Sequence, residues 1–361
     1  MIKKNDGAEF FLFIHLLRAI APLLVIWAHL GGWWLGDNNI QSKLFASWIN
    51  FIVKPFHLYQ DGGHLGVLIF FLISGFVVTH VSLKESLRGF LIKRFFRIVP
   101  TLILSLVLLY VIVLISKAFN LSMPLGNLSN ELKDYLYTLL FINRSLGRPD
   151  VLSVTWTLIV EVIFYAITAI FLFQTKNDPK RSTWYIICLL TLLIIFSSID
   201  PFLKKSADLT IYVFYIVIGR VIYLGRHKLL SQFDTIILGF TSLLCFIVFY
   251  DYLLPNRMFT SPVLLIYSDI IGIIIFLLAM ILVTKVHPVI SFLADISYGL
   301  YLFHLPLGSL ILNFCKTAGI PFKFSIFLAI FIVITFSYIV NKFFEVPLQG
   351  IARKIISNRR I

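Results

Sequence analysis

The chain has 361 residues, of which 59% are hydrophobic and only 13% charged, with 36 Phe and a formal net charge of +14. A soluble domain carries ~45–50% apolar and ~25% charged residues, so this composition excludes a soluble fold and predicts an all-α integral membrane protein. The basic residues lie between apolar runs rather than in one stripe, which reads as a topology signal and argues against nucleic acid as a partner.

Ten apolar stretches are predicted to span a bilayer, at 10–34, 64–82, 98–118, 151–173, 184–200, 208–224, 233–253, 262–284, 289–313 and 324–344. They predict a bundle of about ten transmembrane helices in a single domain over residues 1–361. The long connections 35–63 and 119–150 are apolar in part and are expected to hold short amphipathic or re-entrant pieces. Ten spans put both termini on one side. That side carries 17 basic residues against 11 on the other, and the positive-inside rule then assigns both termini to the cytoplasm.

The first stretch, FFLFIHLLRAIAPLLVIWAHLGGWW, carries Arg18 inside it and His29 near its far end. Arginine in hydrocarbon costs at least ~2.5–3.5 kcal/mol, which marks a functional site or a snorkelling side chain. Eleven helical positions bring Arg18 and His29 to one face, ~16 Å apart along the axis. Pro22 has no N–H to give the Arg18 carbonyl, so a kink is expected beside it.

The second stretch contains DGGHLGVLIFFLISGF. Gly66 and Gly75 allow close helix approach. Ser74 either bonds back to its own helix or serves a site. The turn KRFFRIVP sets Arg94 and Arg97 three residues apart on one face, where paired guanidinium groups suit phosphate oxygens of a donor or of anionic lipid. In SVTWTLIVEVIFY, Glu161 is an intramembrane carboxylate with Thr157 and Tyr165 one turn to either side. It must pair with a cation or be protonated, and Arg18 and His29 are its expected partners. In ADISYGLYLFHLP, Ser297, Tyr301 and His304 share a face, with Tyr298 one position round. Asp269 and Glu345 read as structural. The three cysteines are isolated, and no metal-ligand spacing occurs.

Taken together, these motifs resemble the acyltransferase-3 family of bacterial integral-membrane acyltransferases. Arg18 and His29 match its R-x10-H signature, and GVLIFFLISGF its glycine-serine pattern. RFFR matches the basic element, WTLIVEVIFY the tryptophan–glutamate pattern that includes Trp156, and ISYGLYLFHLP the last motif. The resemblance covers nearly the whole chain, and five motifs in order make it specific. It implies ten helices with cytoplasmic termini in the bacterial inner membrane. It also implies O-acyl transfer, most simply acetyl transfer, from cytoplasmic acetyl-CoA as cosubstrate, with no tightly bound cofactor. The acceptor would be a hydroxyl of a surface or lipid-linked glycan such as lipopolysaccharide O-antigen, capsule or exopolysaccharide. On this reading the membrane domain acts without the periplasmic esterase-like domain that some members add. His29 is expected as the base, Glu161 as its orienting charge, and Arg18 with the donor arm or the thioester carbonyl. Arg94 and Arg97 would hold the donor's phosphates, with Ser74 beside them. Trp156, Thr157, Tyr165, Ser297, Tyr298, Tyr301 and His304 would line the pocket. Succinyl or another acyl group, a non-glycan acceptor and a homo-oligomer all fit this reading. A polytopic transporter is the alternative of another class.

Overall fold

The computed structural model describes residues 11–118, 129, 131–199, 201–253 and 262–357. Lys3, Lys4, Arg359 and Arg360, which enter the charge bias, lie outside the described residues. Helix α1 (Leu12–Ile26) runs through a π-helical turn, Trp27–Trp33, into α2 (Trp34–Asp37). The short α3 (Lys43–Trp48) continues as π-helix over Ile49–Val53. A turn at Tyr59–Gly62 leads into α4 (Gly63–Lys84) and α5 (Leu87–Ala118). Then come α6 (Leu132–Leu139), α7 (Thr155–Ile170), α8 (Leu172–Asn177), α9 (Pro179–Ile199), α10 (Pro201–Arg226), α11 (Gln232–Leu253) and α12 (Pro262–Leu282). The chain ends in α13 (Pro288–Asp295), α14 (Ser297–Phe303), a π-turn at His304–Gly308, α15 (Ser309–Thr317), α16 (Phe322–Val340), a π-turn at Asn341–Glu345 and α17 (Val346–Ser357).

Eight helical runs are long and apolar enough to cross a membrane among the described residues. Thr155–Ile170 and Ile266–Leu282 are shorter apolar helices, and so is Lys43–Val53 in the first long connection. Residues 151–154 are bends and turns rather than helix, so α7 starts later than the hydropathy of 151–173 suggests.

Helix α4 is apolar on all sides, as a helix buried on all sides should be. It packs against α1, α7, α10 and α12. Its glycines set the spacing. A methyl at Gly66 would come within 2.6 Å of the Ala21 carbonyl oxygen, and one at Gly75 would overlap the Ile216 carbonyl oxygen. Gly219 on α10 mirrors Gly75, with the Leu72 carbonyl oxygen in its way. Three backbones therefore meet at near-minimal distance, as small residues at membrane helix crossings permit. A second apolar cluster joins Ile26, Leu30 and Trp34 to Leu300, Leu312, Ile326, Ala329 and Val333. It fixes the far half of the first span against the segment that carries His304.

The turn before α4 is unusual. Gln60, Asp61 and Gly62 have φ of 49°, 56° and 91°, three successive left-handed residues. Trp48 Nε1 donates to the Asp61 carbonyl at 2.9 Å and ties the short α3 segment to this turn.

Candidate active site

The two polar residues of the first span meet two residues of the segment 297–304. Arg18 Nη2 donates to Ser297 Oγ at 3.2 Å. His29 Nδ1 lies 2.8 Å from His304 Nε2, with the rings stacked at 12° and their centroids 5.1 Å apart. Both histidines lie in π-helical turns, a distortion that recurs at functional sites. Prolines accompany both turns. Pro306 lacks the N–H that would serve the Leu302 carbonyl, and Ser105 Oγ donates to that carbonyl instead, at 3.3 Å.

Glu161 does not pair with His29 or with Arg18. Its Oε1 accepts from Ser74 Oγ at 2.9 Å and from the Tyr165 hydroxyl. No ion pair joins it to a cation among the described residues. Ser74 is therefore spent on Glu161 and not on its own helix. Two hydroxyls and proximity to arginines in one cavity replace the direct ion pair that the sequence suggested. Thr157 Oγ1 donates to the Val154 carbonyl at 2.9 Å and so accepts from the Tyr301 hydroxyl at 2.8 Å. Tyr298 donates to the Ile98 carbonyl at 2.9 Å. The Arg94 guanidinium sits over the rings of Phe90 and Tyr165, 5.6 and 5.5 Å from their centroids, with its Nε unpartnered.

Three spaces follow one another through the bundle. The middle cavity, about 820 Å3 with its open mouth included, is lined by Arg18, Ser74, Arg94, Arg97, Thr157, Glu161, Ser297, Tyr298 and Tyr301. At one end it shares Arg18, Arg94, Arg97 and Tyr298 with a basic vestibule of about 1350 Å3. The vestibule adds Lys93, Asp295, Asn341, Glu345, Gln349 and Arg353. At the other end Val67 and Tyr301 separate the middle cavity from a chamber of about 1070 Å3 that holds His29. That chamber is walled by Trp33, Tyr59, Trp156, Tyr212 and Tyr250, with Gln60, His64, Arg144 and Asp208.

Most of the residues expected at the site thus line two adjoining spaces. Trp156 belongs to the His29 chamber rather than to the arginine side. Tyr165 and His304 reach the site through Glu161 and His29. Of the vestibule residues beyond Lys93, Asn341, Gln349 and Arg353 lie outside every motif stretch, Asp295 lies at the start of ADISYGLYLFHLP, and Glu345, read as structural from the sequence, also lines the vestibule. Asp269 is fully buried, with its carboxylate 3.5 Å from His64 Nε2 at the edge of the chamber.

The match to a family is extensive. Residues 11–342 fit the model of the acyltransferase-3 family, described as an acyltransferase domain. The chain belongs to this family. It is similar to peptidoglycan O-acetyltransferase OatA of Listeria monocytogenes, 27% identical over 307 residues, which cover 72% of this chain and 47% of that protein. It is also similar to nodulation protein 10 of Rhizobium leguminosarum, 25% identical over 245 residues, 61% of each chain. The chain therefore spans about half the length of the first of these relatives and about three-fifths of the second. No solved structure matches it. For a member of the acyltransferase-3 family, the R-x10-H signature is here resolved into two separate contacts, one in the arginine-lined cavity and one in the histidine chamber.

Proposed function

We propose that the chain is an O-acyltransferase of a bacterial cytoplasmic membrane, with ten spans and both termini inside. It moves an acyl group, acetyl in the simplest case, from acetyl-CoA at the basic vestibule to a hydroxyl of a surface or lipid-linked glycan at the His29 chamber. The observation that carries this reading is the shared lining of the three spaces, which sets them in series from Arg94 and Arg97 past Arg18 to the Val67 and Tyr301 wall of the His29 chamber, as a long donor reaching that chamber requires. Guanidinium forks suit the phosphates of the donor. The aromatic and polar walls of the far chamber suit a sugar ring, and the OatA relative is a peptidoglycan O-acetyltransferase by name.

In this mechanism His29 Nε2 takes the proton of the acceptor hydroxyl as its oxygen bonds the thioester carbon. The oxyanion collapses, the carbon–sulfur bond breaks, and the departing thiolate recovers the proton from His29. Arg18 lies ~16 Å from His29 along the helix, too far to polarise a carbonyl under attack there. It steers the donor arm, and Tyr301, whose hydroxyl is held by Thr157, forms part of the wall between the two chambers. Glu161 balances the arginines beside it rather than orienting the base.

The test is radiolabelled acetyl transfer by protein in nanodiscs. His29→Ala is expected to lose transfer by at least ~100-fold, and Arg97→Ala to raise the donor KM. Wild-type transfer by His29→Ala would overturn the reading. A transporter would also need a polar route, but it would move substrate without consuming thioester.

A further inference from the structure

The far side of the histidine pair fixes its protons. His304 Nδ1 lies 2.8 Å from the Tyr301 carbonyl oxygen and 3.2 Å from that of Leu300. Carbonyl oxygens only accept, so His304 carries its proton on Nδ1. In a neutral imidazole, Nε2 is then an acceptor. The atom facing it at 2.8 Å is His29 Nδ1, which must therefore donate. The chain of donors runs from His29 Nδ1–H to His304 Nε2, and from His304 Nδ1–H to the backbone. What is left over is a lone pair on His29 Nε2, which has no hydrogen-bond partner among the described residues, on a ring that walls the far chamber.

We infer that His304 is the positioning residue that fixes the tautomer and ring orientation of His29. This is the task a buried carboxylate performs in a Ser-His-Asp triad, and among the described residues no carboxylate is hydrogen-bonded to His29. His304 is fully buried, and its anchor is main chain, held in place by the π-turn and by Ser105 on the freed Leu302 carbonyl. A neutral partner of this kind leaves His29 uncharged at rest. The reacting end of the donor then meets a base that is oriented by an imidazole rather than by a carboxylate, and the proton that His29 gains during transfer strengthens the bond to His304 Nε2. The inference rests on His29 being the base, and its test is separable from that reading.

The experiment combines nitrogen NMR and kinetics on the full chain in nanodiscs with 15N-labelled histidine, His29 being assigned by the signal lost in His29→Ala. Wild type should show His29 protonated at Nδ1 and bare at Nε2. His304→Leu should show mixed tautomers and a kcat ~10–100-fold lower, the range for loss of an orienting partner, with the donor KM within about twofold. His304→Gln places an amide oxygen where Nε2 was and should restore both the single tautomer and most of kcat. A His29 protonated at Nε2 in wild type would overturn the inference. So would an unchanged tautomer in His304→Leu, or a His304→Gln variant as impaired as His304→Leu. If His29→Ala keeps transfer, the functional reading fails while the tautomer result stands on its own. Thermal unfolding of each variant separates loss of fold from loss of orientation.

Discussion

Gly75 is the position where one methyl group should be felt most. It faces the Ile216 carbonyl oxygen and the Arg220 nitrogen, and a Cβ there would overlap the first and come within 2.8 Å of the second. Both obstacles are backbone, so no rotamer change relieves them and α4 must move away from α10. Overpacking of this kind costs ~1–3 kcal/mol, while alanine returns up to ~1 kcal/mol of helix propensity relative to glycine. Gly350→Ala on α17 supplies the reference, because a Cβ there meets nothing within 4 Å. The propensity gain is common to the two variants, so their difference isolates the clash at ~1–3 kcal/mol. Reversible unfolding in mixed micelles would measure it. Gly219 is the reciprocal contact, and the two substitutions share one separation of the helices. The double variant should therefore be less damaged than the sum of the singles, with a coupling of ~0.5–3 kcal/mol. Equal unfolding midpoints for Gly75→Ala and Gly350→Ala would refute the reasoning.

Other expectations concern charge. Burial raises the Asp134 carboxyl, but hydrogen bonds from Ser129 and Arg148 outweigh it and hold the group below its usual range. A depressed folded value gives stability that is present above the unfolded pKa of ~3.9 and lost as pH falls through the folded value. The protection of α6 amides, corrected for the intrinsic pH dependence of exchange, should thus be flat from neutral pH down to about pH 5 and fall below about pH 4, and Asp134→Asn should remove much of that fall. Glu161→Gln replaces a carboxyl oxygen that accepts from both the Ser74 and the Tyr165 hydroxyls. A weakened buried hydrogen bond costs ~0.5–1.5 kcal/mol of stability, read as a lowered unfolding midpoint against the natural chain. Arg97→Lys keeps the charge but not the fork, and is expected to raise the donor KM without lowering kcat.

The sequence made the membrane fold plain because hydropathy is a local property, and all five motifs lie on or beside the spans they were assigned to. Pairing is not local. His29 and His304 are 275 positions apart, and Ser74 and Glu161 are 87 apart. Residue chemistry said that each polar group in lipid needs a partner, but left two histidines, a glutamate and an arginine to be matched. The natural guess joined opposite charges. The fold instead joined histidine to histidine and glutamate to hydroxyls. The π-turns were hidden for a related reason, since a shift from i+4 to i+5 bonding leaves the apolar pattern nearly unchanged, with Pro22 and Pro306 as the readable hints. The vestibule residues on α17 were invisible because an amphipathic tail reads equally well as a membrane anchor.

The turn at Gln60 and Asp61 bears on how the protein divides durability from performance. Two adjacent non-glycine residues hold left-handed backbones there, at a cost of order 1–3 kcal/mol each. Glycine would occupy either position with less strain. The side chain that takes its place at 60 forms part of the wall around His29. A Gln60→Gly variant should accordingly resist heat better than the natural chain and work less well, a trade of function for robustness confined to a single side chain.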